Sequence, residues 1–156
     1  MKLHLLCVGK LSEPWLRDGC QMYVSRLQHY LPLRITELKE CKTGSKPDLS
    51  RITTMEGDSL LQKVGPDGLL VALDGGGKQL DSPGLANLLE QQMLSGVSEM
   101  TFVIGGPYGL SDAVRLRADR LLSLSAMTFT HQMARLILLE QLYRAGTILR
   151  REPYHH

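Results

Sequence analysis

Met100-Thr101-Phe102-Val103-Ile104-Gly105-Gly106-Pro107-Tyr108-Gly109-Leu110-Ser111-Asp112 is the stretch on which the fold turns. An apolar run of β type ends in a glycine turn, and Ser111-Asp112 beyond it reads as a helix start. Glycines packed at a strand end suggest backbone that meets a ligand. A second loop of small residues, Ser123-Leu124-Ser125-Ala126-Met127-Thr128-Phe129-Thr130, lies a short helix further on and feeds the most apolar helix of the chain. Together the two loops suggest one cofactor pocket made of backbone. Leu73-Asp74-Gly75-Gly76-Gly77-Lys78 also ends a strand-like run with glycines. Each loop read singly is consistent with an ordinary tight turn; read together, they place three strand ends at one sheet edge, where open α/β proteins bind ligands.

Outward from these loops, strand-like runs at 3–8, 33–38, 69–73, 101–104 and 121–124 alternate with helical stretches. That is the pattern of an α/β protein whose parallel sheet is covered on both faces. Ser12 with Pro14, Asp48 after Pro47, Ser82 with Pro83, and Ser111 with Asp112 combine a capping oxygen or an early proline with apolar periodicity beyond. The polar stretch 41–47 reads as a mobile loop before the second helix. The last helix, about 130–149, is apolar at four consecutive positions, Leu136 to Leu139, so it is either buried on several sides or shared with another subunit. Glu140 and Arg144 are one turn apart there, spaced for an i,i+4 ion pair, which leaves two readings of Arg144 open: that pair, or a contact to RNA.

The 156 residues fit one domain, 1–156. A 43% hydrophobic and 22% charged composition argues against both disorder and a membrane protein. No apolar run approaches the ~20 residues that cross a bilayer, and residues 1–9 read as a first strand rather than a signal peptide, so a cytoplasmic location is expected. Cys7, Cys20 and Cys41 are odd in number and lack metal-type spacing, which favours three reduced thiols and no metal site. A formal charge of +2 does not by itself indicate nucleic-acid binding. Its distribution says more, because Arg115, Arg117, Arg120, Arg135, Arg144, Arg150 and Arg151 all fall in the last third. The glycine turns match neither a Rossmann fingerprint nor a P-loop, since Gly109 is followed by Leu110 rather than Lys-Ser/Thr.

Leu73-Asp74, the turn 104–111 and the loop 124–132, joined by Glu140-Gln141-Leu142-Tyr143-Arg144-Ala145 and Pro153-Tyr154-His155, resemble the ribosomal RNA large subunit methyltransferase H family, of the SPOUT class. The resemblance runs from the first strand to the final residues. It implies a SPOUT-type parallel-sheet sandwich with a C-terminal trefoil knot, and a homodimer paired across that region. It further implies an S-adenosylmethionine-dependent enzyme that methylates N3 of a pseudouridine in 23S ribosomal RNA, with the assembled ribosome as the expected substrate. S-adenosyl-L-methionine would be held by Leu73, Gly105 and the loop Leu124, Ser125, Ala126, Met127, Thr128 and Phe129. Leucine and methionine side chains would sandwich the adenine while main-chain groups read its edge.

Pseudouridine N3 is a poor nucleophile until its proton leaves, which requires a base or stabilisation of the anion. By the resemblance, Tyr154 and His155 are the catalytic candidates. Histidine, with an ordinary pKa of about 6.5, accepts a proton at neutral pH, whereas tyrosine, at about 10, donates a hydrogen bond or stacks on the base. Arg144 and His156 are the expected substrate contacts. Relatives commonly carry arginine or lysine after the Tyr-His pair, and His156 in its place makes a phosphate contact depend on protonation. Two competing readings are a ribosome-binding module without catalysis, in which the glycine loops are only structural, and a methyltransferase of the same fold that acts on another RNA base.

Overall fold

A computed structural model describes residues 1–42 and 44–155. Five strands alternate with five helices: β1 (Lys2–Val8), α1 (Pro14–Leu27), β2 (Leu33–Leu38), α2 (Leu49–Leu61), β3 (Leu69–Gln79), α3 (Ser82–Leu94), β4 (Glu99–Ile104), α4 (Asp112–Arg117), β5 (Arg120–Ser123) and α5 (His131–Leu149). The strands form one parallel sheet in the order β2-β1-β4-β3-β5. Their apolar runs are nearly unbroken because both faces are buried. In β1, Leu3, Leu5 and Cys7 join a core cluster with residues of α1, α3 and α5, while Leu6 and Val8 join another with Leu60 of α2 and Val114 of α4. Phe102, at the centre of β4 and paired with Leu5, is wholly buried; burying a side chain of this size contributes about 1.5–3 kcal/mol.

Helix starts follow local chemistry. Asp48, Ser111 and Thr130 each accept a backbone N–H of the first turn, from Arg51, Val114 and Met133 respectively. Two caps differ from the sequence expectation. The third helix is capped by Asp81, one residue before Ser82, whose hydroxyl instead donates to Gln141 Oε1 at 2.6 Å. Glu13, not Ser12, occupies the cap of α1 and makes no side-chain cap bond, while Ser12 bonds Gln132 Oε1 in α5.

A larger difference lies in β3. The glycine run after Leu73 does not end the strand; β3 continues to Gln79, with a register shift against β5 between Leu73 and Lys78. Gly77 explains why glycine is needed there: a Cβ would lie 2.6 Å from backbone atoms of Leu121 and Leu122. The run is thus a bulge that lets a short edge strand come close. With every strand parallel, all carboxyl ends lie along one edge, the edge at which such sheets take ligands.

Candidate functional site

A cavity of about 1100 Å³ opens at that edge. Its walls are Leu73, Asp74, Gly75 and Gly76 of β3, the turn after β4 from Gly105, and the whole segment from Leu122 into the start of α5, with Ser12, Glu13, Trp15 and Leu16 across the mouth. The structure therefore brings Leu73, Gly105, Leu124, Ser125, Ala126, Met127, Thr128 and Phe129 to one concave surface. Gly109, with φ of +83°, closes the turn by donating its N–H to Gly106 O at 3.0 Å. No room exists for a side chain at Gly105, where a Cβ would meet Gly109 O at 2.7 Å.

The hydroxyls of the second loop turn inward on local structure. Ser123 Oγ donates to Ser125 O at 2.9 Å, and Ser125 Oγ accepts from Met127 N–H at 3.0 Å. Among the described residues these are the only hydrogen bonds made by the backbone of 124–129. Main-chain donors and acceptors left unpaired at a cavity wall are available to a ligand. Met127 is 73% exposed and Trp15 is 57% exposed, which places two large apolar groups at the rim.

Charge in the wall is balanced. Arg115 Nε donates to Asp74 Oδ2 at 2.7 Å, and Gly76 N–H donates to Asp74 Oδ1 at 2.9 Å. Burial alone would raise the Asp74 pKa, but these hydrogen bonds and the guanidinium charge outweigh it and hold the carboxyl below its usual value. The pair leaves the cavity without net charge at this wall.

Behind the glycine turn stands Glu56, which is 4% exposed. Its Oε1 accepts the Cys41 N–H at 3.0 Å, and its Oε2 has no partner among the described residues. Burial pushes its pKa up. A Cβ on Gly106 would lie 2.9 Å from that oxygen, so the turn sits on the carboxyl. Arg135, wholly buried, bonds Glu37 and donates to Gly9 O at 2.8 Å, tying the first turn of α5 to the ends of β1 and β2. Sequence reading passed over Glu56 and counted Arg135 only among the arginines of the last third, whereas the structure buries it. Arg135 carried a signal, an arginine beside the apolar run 136–139, where only a paired charge is tolerated.

The expected catalytic residues lie elsewhere. Neither Tyr154 nor His155 lines the cavity of its own chain, and neither does Arg144. Arg144 lies on the second half of α5; Tyr154 and His155 follow its carboxyl end, and Tyr154 folds back onto the helix beside Glu140, nine residues and about 13 Å along the axis from the start at His131. There Tyr154 packs on Tyr143 with centroids 4.7 Å apart, Arg144 stacks over the Tyr154 ring at 4.5 Å, and Tyr154 Oη donates to Glu140 Oε1 at 3.2 Å. Burial first, then hydrogen bonding with Tyr23 and the Glu140 charge, push the Tyr154 pKa up to about 12. Its phenol stays protonated and is a donor, not a base. His155 Nδ1 is buried without a partner among the described residues. Arg144 pairs with Glu140 at 2.6 Å, the i,i+4 contact of the sequence reading. His156, the other expected substrate contact, lies outside the described residues.

Comparison with known proteins places this arrangement. A family model described as "Predicted SPOUT methyltransferase" matches residues 1–155. "Ribosomal RNA large subunit methyltransferase H" of Syntrophotalea carbinolica is 54% identical over 156 residues, covering 100% of this chain and 99% of that one. The protein of the same name from Trichlorobacter lovleyi is 50% identical, with both chains covered at 100%. Among solved structures, a probable methyltransferase from Bordetella pertussis Tohama I superposes with a TM-score of 0.57 at 14% identity, over 92% of this chain and 95% of that one. A probable methylase family protein from Haemophilus influenzae superposes with a TM-score of 0.53 at 9% identity, over 99% of this chain and 70% of that one. At such identities the two structures speak for the fold alone. The match along residues 1–155, and relatives at half identity over the full chain, make this protein a member of the SPOUT methyltransferase family.

Proposed function

We propose that the chain is an S-adenosylmethionine-dependent methyltransferase of the cytoplasm that modifies N3 of a pseudouridine in 23S ribosomal RNA. The observation that carries this reading is the convergence of Leu73, Gly105 and 124–129 on one cavity whose loop backbone, Ser125 O and Met127 N–H apart, has no partner among the described residues. The relatives' name supplies the acceptor class, large-subunit ribosomal RNA. S-adenosylmethionine fits the residues present: the cavity has ample volume, apolar walls for an adenine, and main-chain groups for its edge and the ribose. When bound, it supplies an electrophilic methyl group on a sulfonium. Leu73, Gly105 and the loop 124–129 would hold and orient the donor, and this positioning is the main catalytic contribution expected of the protein.

Acceptor activation falls to the tail. His155, with an unpartnered ring nitrogen, takes the N3 proton, and Tyr154, protonated throughout the neutral range, donates a hydrogen bond to the anion that forms. Since Tyr154 packs against the second half of α5 and neither it nor His155 lines the cavity of its own chain, the working pair is the cavity of one protomer and the tail of its partner. Trp15 and Met22, exposed and seven residues apart on one face of α1, support pairing across α1 and α5. The burial of α5, none of whose residues is fully exposed, accords with the threaded trefoil knot of the family. Mass spectrometry of ribosomal RNA from cells with and without the protein tests the reading. Loss of one N3-methyl mark on a pseudouridine is the expected result, and an unchanged modification map refutes it.

A further inference from the structure

A second cleft, of about 520 Å³, opens beside the first where β2 leads into α2. Lys39, Lys42, Lys46 and Arg51 line it and are all exposed. Its two acidic residues, Asp48 and Glu40, leave the lining with a surplus of two positive charges; Asp48 Oδ1 accepts the Arg51 N–H at 3.1 Å as the cap of α2, and Glu40 lies toward His131, with Oε1 3.4 Å from Nε2. Among the described residues, none of the four cations belongs to an ion pair. With a formal charge of only +2 on the whole chain, this cleft is a local concentration of unneutralised positive charge.

The two openings share a wall. His131 lines the larger cavity and faces Glu40 of the cleft. Glu56 accepts the N–H of Cys41 on the cleft side, while its other oxygen lies beneath Gly106 of the cavity. No aromatic side chain is among the lining residues, so the cleft has no platform on which a base would stack. Lysine ammonium groups and an arginine fork are suited instead to phosphate oxygens. We propose that this cleft takes the phosphodiester backbone of the RNA strand flanking the target nucleotide, an assignment that rests on the reading of the protein as an RNA methyltransferase. The strand then runs from the cleft, over Glu40 and His131, into the cavity that holds the methyl donor.

The test compares wild type with the triple variant Lys42→Glu/Lys46→Glu/Arg51→Glu and a control, Lys2→Glu/Lys63→Glu, which alters the opposite edge of the sheet. The probes are a single-stranded RNA oligonucleotide and isolated large ribosomal subunits, each titrated over a salt series, with S-adenosylhomocysteine titrated in parallel. The triple variant is expected to bind both RNA probes at least about tenfold more weakly at low salt, with the log–log salt slope reduced by about 2. Its S-adenosylhomocysteine affinity and the control's RNA affinity stay at wild-type values. Unchanged RNA affinity and slope in the triple variant overturn the proposal. A loss confined to ribosomal subunits, with the oligonucleotide unaffected, also overturns it by assigning the cleft to a protein surface. Failure of the wild type to methylate either RNA sinks the proposed function alone, because the binding shift is read without turnover.

Discussion

At its amino end α5 borders a cavity made largely of main chain; from its midpoint it carries a cluster of side chains, Glu140, Tyr143 and Arg144, on which Tyr154 of the tail is held by stacking and ionic hydrogen bonds. The first region has one balanced ion pair in its wall and recognises by shape and unpaired backbone. The second concentrates groups that hold or move a proton. Binding a cofactor and activating an acceptor make different demands, and the residues proposed for them sit on different stretches of α5, the first turn and the segment from Glu140 to Arg144. On the proposed reading neither region is a complete site by itself, and whether a second copy supplies the other half can be tested directly.

Removing Tyr154 to His156 is the most severe way to probe that division. Turnover is expected to fall by on the order of 10³-fold while cofactor affinity stays within about twofold of wild type, a split read by single-turnover kinetics beside a binding titration. Mixed dimers sharpen it. Pairing this truncated chain with a Gly105→Val chain rebuilds one working site only if tail and cavity come from different protomers. Activity restored in the mixture supports sharing, and activity no higher than in either parent contradicts it.

Arg135→Met acts on the junction between the regions. It removes the bonds to Glu37 and Gly9 O that seat the start of α5, and it leaves Glu37 partly buried without its partner. A loss of about 2–3 kcal/mol is expected in urea unfolding, below the full value for a wholly buried pair because the Glu37 side chain is 34% exposed. A loss under about 0.5 kcal/mol would show that the α5 seat does not depend on this pair.

Glu56→Gln is the mildest change, confined to the support under the glycine turn. Because burial raises the Glu56 pKa in the folded state, the stability it contributes is full only below the unfolded carboxyl value of 4.5 and is lost as pH rises through the folded value. Above that point the native state holds a charge at a cost. The amide is therefore expected to raise the melting temperature at pH 8, with the gap closing as pH falls toward 4.5. A gap that is constant with pH would mean the carboxyl is not the cause.

Much of the cavity was legible in the sequence because its determinants are local. A β-type run followed by a glycine turn and a capping serine reads directly as strand, turn and helix, and Asp48 and Ser111 cap as their spacing indicates. The glycine run of β3 was not legible, since its reason is the backbone of β5 some forty residues later, and nothing near Gly77 announces that approach. Glu56 was hidden for the same cause: on its own helix it looks like a surface residue, and only the Gly106 turn buries it. The separation of cavity and tail was not legible either, because the resemblance groups the motif residues while the fold-back of Tyr154 onto Glu140 and Tyr143 is a tertiary contact.

The most direct measurement is calorimetric titration of S-adenosylmethionine into wild-type protein and into Gly105→Val, with folding of the variant checked by circular dichroism. One tight binding event per occupied cavity in the wild type, lost from a folded variant whose added methyls collide with Gly109 O, is the predicted result. Equal affinity in the two proteins, or no heat of binding in the wild type, would contradict the placement of the methyl donor in this cavity.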